Sequence, residues 1–82
     1  MKIDILNSGM KTHKIIAIRG KIKDVQAAVD KINSERQHYK LDYLDFEDLE
    51  CNQAQAEFIA HRSHHKKAAT FIQSVALNFN SK

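Results

Sequence analysis

The 82-residue sequence has no proline, no tryptophan, two glycines and one cysteine. With no proline, and glycine only at positions 9 and 20, it holds no proline-rich segment and no flexible glycine-rich linker. A lone Cys51 cannot form an internal disulfide and does not support a cysteine-based zinc site. That usage fits a cytoplasmic protein. No apolar run approaches the ~20 residues of a membrane span, so no membrane partner is expected. The opening Met1-Lys2-Ile3-Asp4-Ile5-Leu6 is too short an apolar stretch for a signal peptide. The expectation is one domain over residues 1–82, with 1–10 peripheral. A chain this short buries only ~60% of its unfolded surface, so pairing with a second copy is a natural way to bury more.

What the sequence does have is segregated charge. The formal net charge is +3. Residues 1–23 carry six Lys/Arg against one Asp, and residues 24–40 carry three of each sign. Residues 41–60 carry six Asp/Glu and no base, whereas 61–82 carry four bases and no acid. An acidic middle therefore lies between two basic flanks.

Hydrophobic periodicity predicts an α+β domain of order (β)βαβα, with a small sheet, a short amphipathic helix and a long C-terminal helix. Residues 2–6 alternate briefly and read as a short strand, followed by the turn signal Asn7-Ser8-Gly9. Residues 13–22 hold Ile15, Ile16 and Ile18, with apolar residues on both faces, and read as an internal strand. Asp24 reads as a helix N-cap. Val25, Ala28, Val29 and Ile32 then fall at i, i+3, i+4, i+7, placing a helix at 24–36. Tyr39 to Glu47 alternates imperfectly and reads as a strand. The strand–helix–strand unit is expected to have its two strands parallel.

The last third, rich in Ala, Gln and Glu, reads as one helix over 53–79 and as the association element. Steps of four and three pick out Ala54, Phe58, His61, His65, Ala68, Ile72, Val75 and Phe79 as an a/d series. Such a helix would be roughly 40 Å long and would overhang a domain of this size. Its seam (Phe58, His61, His65, Ala68, Ile72, Val75, Phe79) therefore predicts a homodimer. The competing reading packs the helix across its own sheet, or breaks it near Ser63 into two shorter helices.

Motifs for chemistry are sparse. On one helix, His61 and His65 would share a face at i, i+4, but no third metal ligand accompanies them, so neither metal nor cofactor is expected. No nucleophile elbow or phosphate loop is present, and catalytic residues are not assigned. The expectation is a small non-enzymatic binding or regulatory protein. Lys11, Lys14, Arg19, Lys21, Lys23, Arg62, Lys66 and Lys67 are the candidate contacts to nucleic-acid phosphates. The alternative is an adaptor or inhibitor that docks on a basic protein surface. It would use Asp42, Tyr43, Asp45, Phe46, Glu47 and Asp48, where acids for steering alternate with aromatic anchors.

Overall fold

The isoleucine-rich run Ile15-Ile16-Ala17-Ile18 lies in the centre of a strand, and the rest of the fold is arranged around it. The structure is a computed structural model and describes residues 1–78. Its elements are β1 (Lys2–Asn7), β2 (His13–Lys21), α1 (Ile22–Glu35), a 3-10 turn (Arg36–Tyr39), β3 (Leu41–Leu49), β4 (Gln53–His61) and α2 (His65–Leu77). The four strands form one antiparallel sheet in the order β1-β2-β4-β3. The architecture is α+β.

β2 and β3 are each antiparallel to β4, so they run parallel to one another with β4 between them. The expected strand–helix–strand unit is thus present, with its hairpin partner inserted in the gap. Residues 2–7 are not peripheral: β1 pairs with β2 from Lys2↔Arg19 to Asn7↔Lys14.

The single helix expected over 53–79 is not formed. Residues 53–61 are strand β4, residues 62–64 are a turn, and only His65–Leu77 is helical. Along β4, Ala54, Ala56, Phe58 and Ala60 are all at most 1% exposed, while Gln53, Gln55, Glu57 and Ile59 are half-buried on the other side. That is a period of two, which outweighs the helix propensity of Ala, Gln and Glu once the strand has neighbours on both sides. The small alanines leave room for both helices to pack against this strand's inner face. At 13 residues α2 is about 20 Å long and does not overhang a molecule of 34 × 23 × 17 Å.

The helix α1 buries Val25, Ala28, Val29 and Ile32, the stripe that the spacing predicts. It starts directly after β2, with Lys21 at the N-cap position and no side-chain cap. Asp24 is therefore in the first turn rather than the cap, where its charge still suits the helix dipole. The Ile22 N–H donates to the Asn52 carbonyl at 3.1 Å, tying the helix start to the β3–β4 hairpin. Both helices cover one face of the sheet. Ile16, Ile18, Ala54, Ala56, Phe58, Ala68, Ile72 and Val75 meet there in one core.

Candidate nucleic-acid interface

No polar or charged residue is buried among the described residues, so every candidate functional side chain lies at the surface. The register of β2 with β4 decides which of them meet. His13 begins β2 and pairs with His61, the last residue of β4. The loop before β2 and the turn after β4 are therefore neighbours, and the Arg62 N–H donates to the Thr12 carbonyl at 2.8 Å. The loop is held by Ser8, whose hydroxyl donates to the His13 carbonyl at 2.9 Å and accepts from the Met10 N–H at 3.1 Å. Gly9 takes φ +86°, a left-handed conformation that glycine adopts without strain.

This pairing gathers five of the eight candidate cations at one end of the sheet. Lys11, Lys14 and Arg62 line a cleft of about 400 Å³ with Asn7, Gly9 and Met10. Lys14 Nζ donates to Asn7 Oδ1 at 2.7 Å. Lys66 and Lys67 follow in the first turn of α2 and line a second cleft of about 450 Å³ with Tyr39, Thr70, Phe71 and Ser74. Its floor is aromatic, since the Tyr39 and Phe71 rings stack with centroids 4.1 Å apart. The first turn of α2 has no acidic residue and no side-chain cap. Lysines there oppose the helix dipole, which favours negative charge at that end. Among the described residues the ion pairs are Lys31–Glu35 and Arg36–Asp42, so none of the five is neutralised by a carboxylate.

The other three candidates lie elsewhere. Arg19 and Lys21 are at the far end of β2, roughly 20–26 Å along the strand from His13, and Lys23 is at the start of α1. Arg19 Nη2 donates to Gln55 Oε1 at 2.8 Å, and Gln55 Nε2 donates to Glu57 Oε2 at 3.0 Å. That end also receives Glu47, Asp48 and Glu50 from the β3–β4 hairpin, so its charge is mixed. The eight cations thus form two groups and not one face.

The histidines fall at the basic end, in an arrangement that sequence spacing did not indicate. His61 ends β4 and His65 begins α2, so they do not share a helical face. His61 faces His13 instead, with ring centroids 5.4 Å apart and edge-on, and His64 lies 6.3 Å beyond. His65 Nδ1 donates to the Arg62 carbonyl at 2.8 Å. Among the described residues no group of three or more His, Cys, Asp or Glu is placed to hold a metal ion. The place of His13, Ser8 and Thr12 in this end has no local signal, because it depends on the pairing of strands forty residues and more apart in sequence.

The seam residues are divided among different surroundings. Phe58, Ala68, Ile72 and Val75 are buried in the chain's own core and are not available to a second copy. His61 is exposed and His65 half-buried at the basic end, and Phe79 lies outside the described residues. The a/d series fails because Phe58 belongs to a strand and Ile72 to a helix that packs on it.

The acidic segment is edge strand β3. Asp42, Asp45 and Glu47 pair with the outward-facing β4 residues Ile59, Glu57 and Gln55, so they share the open face of the sheet. Asp48 pairs with Ala54, on the helix side. A bulge between Tyr43 and Asp45 leaves Tyr43 41% and Leu44 47% exposed, while Phe46 packs against the core. Tyr43 and Phe46 line a groove with Gln26, Val29 and Asp30 of α1. Partial desolvation of the half-exposed ring, and then the Asp45 charge, raise the Tyr43 hydroxyl pKa above 10.0. Asp42 pairs with Arg36 at 3.5 Å. Comparison with protein-family models, with curated proteins and with solved structures gives no match to this chain.

Proposed function

We propose that this protein binds nucleic acid through its basic end, with Lys11, Lys14, Arg62, Lys66 and Lys67 contacting phosphates. The supporting observation is the convergence of these five cations, from two segments some fifty residues apart, with no carboxylate among their partners. An unneutralised cluster suits a polyanion, whose bound counterions are released as phosphates are engaged. The uncapped first turn of α2 adds backbone N–H donors in the same place. The Tyr39–Phe71 stack beside Lys66 and Lys67 offers an apolar floor next to the charge. Base edges have no evident reader here, so the binding is of the backbone type.

The test is fluorescence anisotropy with single- and double-stranded oligonucleotides across a salt series. The expected result is binding that weakens steeply with salt. Arg62→Ala/Lys66→Ala/Lys67→Ala is expected to flatten the double-strand salt slope by roughly 0.9 for each phosphate that the variant no longer engages. No binding at low salt, or a triple variant that binds like the parent, refutes this role.

A second reading rests on the bulge in β3, which exposes Tyr43 and Leu44 beside Asp45 and Glu47. There the protein docks as an adaptor or inhibitor on a basic partner. In that case Asp45→Lys/Glu47→Lys abolishes capture of the partner while the triple variant retains it.

A further inference from the structure

We propose that β1 is the edge through which this protein self-associates, pairing antiparallel with β1 of a second copy around a two-fold axis at Ile3. The sheet has two edges, and they are built differently. β3 is bulged and carries Asp42, Asp45, Glu47 and Asp48. A second β3 alongside would set acids against acids on a distorted ladder, which blocks pairing. β1 has neither protection. Its six residues stay in unbroken register with β2, and its Ile5 is 51% exposed. Its outer backbone groups face away from the sheet, with no further strand beside them among the described residues.

The occupant follows from the charge order of β1. Lys2, Asp4 and Leu6 lie opposite Arg19, Ala17 and Ile15 on the open face, whereas Ile3 and Ile5 lie opposite Ile18 and Ile16 on the helix side. A two-fold axis perpendicular to the sheet keeps the two faces aligned, so only residues of the same face can meet across the new ladder. A register centred on Asp4 sets that carboxylate against its own copy. One centred on Ile5 sets Asp4 against Leu6. The register centred on Ile3 sets Lys2 against Asp4 of the second copy twice, with Ile3 against Ile3 between them. Opposite charges directly across strands attract and like charges repel, which selects this register. Neither residue has an ion pair within the chain among the described residues, and Lys2 faces the like charge of Arg19, which the second copy's Asp4 would offset. β1 is thus complementary to itself, and the product is an eight-stranded sheet with the helices on one side.

Sedimentation equilibrium of the full chain and of three variants tests this. The parent is expected to show a dimer. Lys2→Asp and Asp4→Lys are each expected to weaken it roughly tenfold or more, because each sets like charges opposite one another twice. Lys2→Asp/Asp4→Lys is expected to restore it. Circular dichroism checks that each variant keeps the parent's fold. A parent that stays monomeric at roughly millimolar concentration overturns the proposal. So does a dimer indifferent to the single changes, or a double variant no better than the single ones.

Discussion

Cys51 and Asn52 both take φ +61°, and together they turn β3 back into β4. Asn tolerates the left-handed region, whereas a side chain such as that of Cys51 is strained there by about 1–2 kcal/mol. Glycine removes that strain at a smaller entropic cost in the unfolded chain. Cys51→Gly is therefore expected to stabilise the protein by about 0.5–1 kcal/mol and to raise Tm by roughly 2–8 °C in calorimetry. A lower Tm would show that the thiol makes a compensating contact. Tyr43 supplies a pH dependence. Its raised pKa means that the folded chain holds the phenolic proton more tightly than the unfolded chain does. The resulting stability is complete below pH 10.0 and is lost as pH rises through the folded value. Urea midpoints measured at about pH 9 and about pH 11 are expected to differ less for Tyr43→Phe than for the parent. Equal differences would refute this role for Tyr43.

At the scale of the element, α2 opposes its own stability. Lys66 and Lys67 sit where acids are favoured, at an N-terminus without a side-chain cap. Lys66→Glu/Lys67→Glu is expected to stabilise the helix by about 0.3–1 kcal/mol per site while weakening nucleic-acid binding. Thermal melts and anisotropy on the same sample check the two together; a loss of stability would contradict the dipole argument. The elements also divide by how legible they were. α1 was readable because its four buried residues repeat at helical spacing and the same side chains form its core contact. β2 was readable because isoleucine in number strongly favours a strand. β4 was not, because alanine, glutamine and glutamate carry helix propensity and alanine is a weak hydrophobic signal. Its alternation at 54, 56, 58 and 60 was present in the sequence, yet the a/d series through Ala54 and Phe58 matched it equally well. The polar block at 61–67 contains the true boundary, the turn at 62–64 between β4 and α2.

At the scale of the molecule, folding redistributes the segregated charge. The basic stretches at 11–14 and 62–67 are brought to one end by the His13↔His61 pairing. The acidic stretch runs along β3 and its hairpin, away from that end except for Asp42, which Arg36 pairs. One end of the sheet is thus basic and the other mixed in charge, and under the proposed role this asymmetry steers a polyanion toward the basic end.

Local residue pattern is enough to set the α+β class, the amphipathic face of α1 and the strand at the centre of the sheet. These follow from residue spacing and β-branching, which act over a few neighbours. The sequence also sets the net charge and its division along the chain. The folded chain settles the rest: that residues 53–61 are a strand, that Phe58 and Ile72 share one core, and which cations meet. Those outcomes depend on contacts between strands and helices far apart in sequence, where burying Phe58 and four-strand pairing outweigh a local preference for helix.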